Sequence, residues 1–328
     1  MTTRNAAPFV TPRVLVSACL GFEACRWNKA VVRSPFVDAL RDHADCVTVC
    51  PEREIGLGVP RDPVHVEERR GLRTLVQPAT GRDCTAAMRE FAAAFLARLG
   101  PLDGAVLKAR SPSCGIKDVK IRTADGASVV TGKGIGFFGG AVLDAHPDLP
   151  VEDEGRMTNA RLREHFLTRL FAQARLRAAA ARPAMKTIVA FHAAHKYLLM
   201  AYGQTSLRGL GRIVANHEKR PTPDVFADYA ARFARALDHP PRVPAAINAL
   251  QHMYGYVSSE LNAAEKRLFD RALTEYRQNR YGAIVLLQLI KSWVARFDVA
   301  YLADQVILEP FPAALVSPAD SASGKGTR

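Results

Sequence analysis

Apolar, β-branched runs recur through the first half of the chain, each ending in a short stretch of Cys, Ser, Pro or Gly. One run leads from Arg13 to Cys19, a second from Cys46 to Cys50, a third covers residues 71–77, and a fourth starts at Gly104 ahead of Ser111-Pro112-Ser113-Cys114. Short apolar runs bounded by turn formers read as buried strands. Helical spacing fills the gaps. Ser34 followed by Pro35 marks a helix start running to about Asp42, because Ser caps well and Pro suits the first helical position. Residues 85–99 form a second helix stopped by Gly100-Pro101, and residues 136–145 a third. Segments 118–123 and 127–131 flank Asp125-Gly126, a hairpin signal. This alternation predicts an α/β domain, doubly wound around a mainly parallel, Rossmann-like sheet.

From residue 158 the period changes. A long helical pattern runs to about Ala181 and is broken at Arg182-Pro183; helices are then predicted at 186–202, 206–217, 223–237, 244–261, 263–280, 282–297 and 299–307. Thr222 before Pro223 marks one start, and Asn262 with Glu265 another, in the manner of a capping box. The expected organisation is an α/β domain over 13–157, a linking helix over 158–183 and an all-α domain over 184–315. Residues 1–12 and 318–328 read as disordered ends.

Three cysteines, Cys19, Cys50 and Cys114, stand at the carboxyl ends of predicted parallel strands, where α/β sheets bind ligands. Three thiolates converging there, with one position open, suit an iron–sulfur cluster able to take a substrate on its fourth iron. The same set could instead form a structural zinc site, or a cluster without turnover whose fourth ligand is Cys25. Glu52 lies two residues beyond Cys50 and Ser111 three before Cys114, so a carboxylate for proton transfer and a hydroxyl for orienting substrate would sit beside the metal. Cys46 opens its strand, roughly 13 Å from Cys50 at ~3.3 Å per residue. Cys84 lies at a helix start whose flanks resemble a cap.

Gly134, Gly136 and Gly139 match the dinucleotide fingerprint only as a string, since they follow a hairpin rather than a first strand; a tight turn near the cysteines is expected instead. Lys108, Arg110, Lys117, Lys120, Arg122 and Lys133 bracket Cys114 and could hold phosphates at its rim. In the helical half, His192 and His195 are placed for packing or RNA contact, and Tyr254, Tyr256, His252, Arg208 and Arg212 could meet bases and phosphates.

Composition sharpens this picture. Six cysteines without a secretory signal, and no apolar run near the ~18 residues of a membrane span, point to reduced thiols in the cytoplasm. The formal net charge is +13 over 328 residues. Residues 1–175 carry 25 Lys and Arg against 20 Asp and Glu, and the rest 20 against 12. A polyanionic partner is the natural inference.

Several stretches together resemble the thiouracil desulfidase family: Ser17-Ala18-Cys19-Leu20-Gly21 with Cys25-Arg26-Trp27, Cys50-Pro51-Glu52 with Gly56-Leu57-Gly58-Val59-Pro60-Arg61, Gly81-Arg82-Asp83 with Thr85, and Lys108-Ala109-Arg110-Ser111-Pro112-Ser113-Cys114-Gly115. The second half is similar to a helical domain often fused to that module, through the segments around Phe191, Tyr254, Glu275, Tyr301 and Glu309. The fused arrangement resembles the tRNA 4-thiouridine desulfidases. By that likeness Cys19, Cys50 and Cys114 would hold a [4Fe-4S] cluster, Glu52 and Ser111 would match the family's catalytic pair, and tRNA would be the substrate. A desulfidase acting on free thiouracil or another small thioamide is the alternative enzyme. Where the family carries aromatic-Asp-Gly-Gly, this chain has Trp27-Asn28-Lys29-Ala30.

Overall fold

The computed structural model describes residues 9–124 and 126–316. The first half forms β1 (Arg13–Ser17), α1 (Pro35–Leu40), β2 (Asp45–Val49), the one-turn α2 (Pro51–Glu54), β3 (His65–Arg69), β4 (Leu72–Gln77) and β5 (Arg82–Asp83). It continues through α3 (Thr85–Arg98), β6 (Gly104–Leu107), β7 (Val119–Thr123), β8 (Val129–Gly134), α4 (Phe137–Ala145) and β9 (Val151–Asp153) into α5 (Ala160–Ala180). The chain divides inside α5 into two compact units. Residues 11–166 form one unit, and the described residues from 167 onward, with Phe9 and Val10, form the other.

The first unit is α/β, as its pattern predicts. Strands β2-β1-β6-β9 make a parallel sheet, with Leu15 in register with Val47 on one side and Ala105 on the other. Val14, Leu15 and Val16 are fully buried, which is why this run is apolar without alternation. The chain runs outward from β1 to β2, then crosses to β6 on the other side, so the strand order reverses between β1 and β6. At such a switch point the connections diverge and leave a crevice beyond the strand ends. Ser34 caps α1 as expected, its Oγ accepting from Val37 N.

A second sheet, β5-β4-β3-β7-β8, is mixed: β3 and β7 are parallel and the other pairs antiparallel. The expected hairpin is β7 and β8, although Asp125 at its turn lies outside the described residues. Three strands have no counterpart in the hydrophobic pattern: β3, the two-residue β5 and β9. β3 carries Glu67, Glu68 and Arg69, and β9 is acidic, so neither shows an apolar run. Their charges have local partners: Arg73 pairs with Glu68 at 3.0 Å, and Arg156 donates to Glu152 and, through its backbone N, to Asp153.

The second unit is all-helical beyond α5: α6 (Met185–Ala194), α7 (Lys196–Tyr202), α8 (Gln204–Ala215), α9 (Thr222–Ala236), α10 (Val243–Tyr254), α11 (Ala263–Arg277), α12 (Ala283–Arg296) and the short α13 (Ala300–Ala303). The single helix expected over 186–202 is broken at His195, whose backbone leaves the helical region (φ −94°, ψ 4°). Its imidazole is buried, stacks on Phe191 at 3.9 Å and bonds the Phe191 carbonyl at 2.7 Å. His192 Nδ1 meets the Tyr229 hydroxyl at 3.1 Å, so both histidines pack in the core. Tyr254 likewise stacks on Phe269 at 4.1 Å.

The capping box at Asn262 and Glu265 is present, whereas Thr222 makes no side-chain cap because the helix already begins there, with Pro221 before it. Residues 1–8 and 317–328 lie outside the described residues, but Phe9 does not. Its ring packs edge-on to Phe171 at 5.8 Å under Arg175, so the expected disordered arm is ordered from Phe9 onward. Among the described residues no helix is long and apolar enough to cross a membrane.

Candidate active site

Three strand ends of the parallel sheet meet at one cavity of about 350 Å³, lined by Cys19, Cys25, Cys50, Cys114, Glu52, Ser111, Arg61 and Trp27 among others. Cys19 leaves β1 in a turn whose Ala18 carbonyl takes Phe22 N and Glu23 N, while the Cys19 carbonyl accepts Val32 N at 2.8 Å. This closes residues 20–31 into a flap beside the cavity. Cys50 directly follows β2 and receives Arg53 N and Glu54 N on its carbonyl, starting α2. That single turn, entered through Pro51, brings Glu52 to the same cavity.

Cys114 is placed differently. It sits on a loop after β6, pinned from two sides. Ser111 Oγ accepts Ser113 N at 3.2 Å and Cys114 N at 3.1 Å. The first turn of α4 donates to the same loop: Gly136 N to Gly115 O, Phe137 N to Pro112 O, and Phe138 N and Gly139 N to Ser113 O, at 2.7–3.1 Å. A helix start has no internal partners for these donors, and here a loop supplies them. The approach demands glycine. A Cβ at Gly136 would stand 2.6 Å from Ser113 O, and one at Gly139 2.5 Å from Cys114 O. In place of the tight turn expected of them, the fingerprint-like glycines end β8, cap α4 and lie in its first turn, where Gly136 and Gly139 hold the Cys114 loop.

Glu52 is fixed by two residues that the sequence did not single out as site residues. Arg61 donates through Nε (2.9 Å) and Nη2 to Glu52 Oε2, and its Nη1 binds the carbonyls of Cys25 and Gly58, each at 2.9 Å. Buried Ser113 donates its hydroxyl to Glu52 Oε1 at 2.9 Å. Arg61 belongs to one of the resembling stretches, and Ser113 to another; that was the available signal.

The thiols are mutually close. Cys25 hydrogen-bonds both Cys19 and Cys50, and the Cys19 contact, with burial, pushes its thiol up to about 11. Cys50 is pushed well above the usual thiol range by its bond to Cys25 and by burial, and Cys114 by burial, against a hydrogen bond from Ser17 that favours its thiolate. Burial and thiol–thiol contact thus disfavour the thiolates of Cys25, Cys50 and Cys114. Cys19, Cys25, Cys50 and Cys114 all line the cavity. Among the described residues, no three His, Cys, Asp or Glu side chains are arranged around a single-ion position. Cys46 and Cys84 do not line the cavity: Cys46 lies beside Val14 at the far end of β1, and Cys84 is in the core under α3. Of the six cations bracketing Cys114, only Lys108 and Arg110 reach this cavity.

A profile of the 2-thiouracil desulfurase family matches residues 14–154. The protein YbbK of Bacillus subtilis (strain 168), an uncharacterized protein, is 33% identical over 129 residues, covering 37% of this chain and 85% of its own length. The chain belongs to the 2-thiouracil desulfurase family. A second profile, DUF1722, a protein family of unknown function, matches residues 196–312. YbgA of Escherichia coli (strain K12), also uncharacterized, is 26% identical over 153 residues, which is 46% of this chain and 81% of that protein. Among solved structures, the [4Fe-4S]-dependent thiouracil desulfidase TudS matches at 29% identity over 45% of this chain and 94% of its own, with a TM-score of 0.36. Within the desulfurase module, the stretch Trp27-Asn28-Lys29-Ala30 forms its own turn. Asn28 Oδ1 accepts Ala30 N at 3.2 Å and Lys29 takes a left-handed backbone (φ 58°). Asn28 stands where the family has Asp and makes the turn's side-chain bond, while Lys29, at the first glycine position, takes the left-handed backbone that a glycine would adopt without strain.

Proposed function

We propose that the protein is a desulfidase that converts 4-thiouridine in tRNA to uridine, using a [4Fe-4S] cluster held by Cys19, Cys50 and Cys114. One observation carries the reading: three thiols from three parallel strand ends share a cavity at the switch point with a fixed carboxylate, Glu52, and a hydroxyl, Ser111. The donor set fits such a group. It is all sulfur and it is buried, the soft donor set that iron–sulfur clusters take.

When bound, the cluster supplies a soft Lewis acid for a thiocarbonyl sulfur. The chain's own residues do the rest. Arg61 and Ser113 occupy one lone pair or more on each Glu52 oxygen, leaving the carboxylate oriented to take a proton from water. Ser111 Oγ accepts two backbone N–H groups, so its own proton points elsewhere and can be donated to the oxygen that develops charge as water adds. Water in and hydrogen sulfide out leaves no net change of redox state. The base has to leave its stack to enter a cavity of this size. A net charge of +13, with its larger share after residue 175, supports a polyanionic substrate and salt-dependent affinity. The cytoplasm, with reduced thiols and tRNA, is the matching compartment.

The test is anaerobic reconstitution, followed by incubation with bulk tRNA carrying 4-thiouridine and quantification of that nucleoside after digestion. Conversion by the brown, clustered protein and its loss in Cys114→Ala are the expected results. A clustered protein that leaves tRNA unchanged but desulfurates free thiouracil, without salt dependence, would replace tRNA with a free base as substrate.

A further inference from the structure

β1 ends on Ser17, a small polar residue closing the fully buried run Val14-Leu15-Val16. Side chains two apart share a strand face, so Ser17 stands on the face of Leu15, whose core cluster includes Cys114. Ser17 is itself only 1% exposed and lines the cavity together with Cys114. A hydroxyl buried this deeply has to be satisfied, and this one is satisfied twice. β1 and β6 pair as far as Val16 and Val106; just beyond, Ser17 Oγ accepts Lys108 N at 2.9 Å. That bond uses a lone pair and leaves the single hydroxyl proton for another acceptor. The acceptor is the Cys114 sulfur.

Tying β1 to the chain that leaves β6 requires the first bond alone. The second places a donor on a sulfur of the proposed ligand set. Cys50 also receives a donor, the backbone N–H of Arg53, but no substitution removes that group. Ser17 is a side-chain donor and can be deleted. A hydrogen bond to a ligand sulfur draws electron density from it, and so from the iron it binds; such bonds are among the levers that set the potential of a cluster.

We propose that Ser17 is a positioning residue acting through Cys114, its hydroxyl keeping the cluster electron-poor, easier to reduce and a stronger Lewis acid toward a thiocarbonyl sulfur. This rests on the desulfidase reading above for the cluster and not for its substrate.

The experiment reconstitutes wild type, Ser17→Ala and Ser17→Thr anaerobically. It measures the reduction potential and, by resonance Raman in H2O and D2O, the iron–cysteine stretching bands. Ser17→Ala should make reduction about tenfold less favourable, the worth of one hydrogen bond, which lowers the potential by about 59 mV for one electron. Its bands should move, and their shift in D2O should shrink. Ser17→Thr keeps the hydroxyl and should return both readouts toward wild type. Turnover of a thiolated substrate should fall in Ser17→Ala and recover in Ser17→Thr.

A purely structural tie would lower stability and iron content yet leave the potential and bands of the assembled cluster unmoved, and that result overturns the proposal. If Ser17→Ala holds no cluster, the wild-type bands decide. A hydroxyl exchanges at once and a hydrogen-bonded amide slowly. A deuterium shift complete on mixing therefore upholds the donor, and its absence overturns it. A clustered protein that turns over no thiolated substrate ends the desulfidase reading, while potential and bands, taken without substrate, still decide the role of Ser17. A wild type that assembles no cluster ends both.

Discussion

Replacing Arg61 by Met tests whether one ion pair organises the site. The side chains of Arg61 and Glu52 are 3% and 13% exposed, and Arg61 makes four hydrogen bonds, two to Glu52 and two to backbone carbonyls. Met retains volume but leaves Glu52 charged beside the thiols with only Ser113 as donor. Breaking a buried pair on one side costs about 3–5 kcal/mol. Because Glu52 keeps one hydrogen bond and some water, the lower end applies, about 3 kcal/mol, or roughly a hundredfold in the folding constant. In the double variant Arg61→Met/Glu52→Gln the unpaired charge is gone, and most of that loss should return.

Urea titration of the Trp293→Phe protein reports on this region, since the chain has two tryptophans and the other, Trp27, lines the cavity and accepts Arg61 N on its carbonyl. A single variant that loses less than about 1 kcal/mol, or a double variant as unstable as the single, would refute the argument that the cost comes from an unpaired buried carboxylate.

Gly139→Ala should destabilise by about 1–3 kcal/mol and lower the iron bound per chain on reconstitution, because its Cβ meets the backbone of Cys114 and Gly115 and no side chain can swing aside; Gly132→Ala, with open space around it, should do neither. His195, pushed down to about 3 by burial, stays neutral in the folded protein while the unfolded chain protonates near the ordinary value of 6.5. The unfolded state therefore binds the extra proton, and this residue's contribution to stability, complete above 6.5, falls by up to ~1.4 kcal/mol per pH unit as pH drops toward 3. An imidazole resonance that titrates near 6 in the folded protein would contradict this. In cluster-free protein, peroxide should join Cys25 to Cys19 or Cys50 slowly at neutral pH and faster as pH rises toward 11, where the Cys25 thiolate forms, two thiols yielding two protons and two electrons as peroxide becomes water. Peptide mapping without reductant reads the link, and pairing through Cys46 or Cys84 instead would contradict the observed thiol contacts.

Much of this architecture can be read from the chain because its determinants are local. β1 and β6 are almost wholly apolar because both of their faces are covered, and the edge strand β2 shows through its β-branched residues, so their ends, and the cysteines beyond those ends, stand out in the sequence. Caps at Ser34 and Asn262 act within three residues and are equally plain. The parts that escape are those made by distant partners. Arg61 and Ser113 gain their roles only when chain segments 9 and 61 residues from Glu52 fold back on it. β3 and β9 escape for another reason, their charged residues breaking the apolar run that marks a strand, and the cations around Cys114 disperse because Lys120 and Lys133 are exposed on the second sheet.

The support of Cys114 by α4 has a consequence for the order of events during biogenesis. Cys19 and Cys50 follow adjacent paired strands and can meet early, but the third sulfur takes its place only after the chain has passed through the β7–β8 hairpin and laid the start of α4 on the loop behind it. A three-thiol ligand set therefore does not exist on a nascent or partly folded chain. Zinc fingers depend on their ion to fold, whereas here the protein's own hydrogen bonds seat the Cys114 loop, so the fold itself sets where the third sulfur stands.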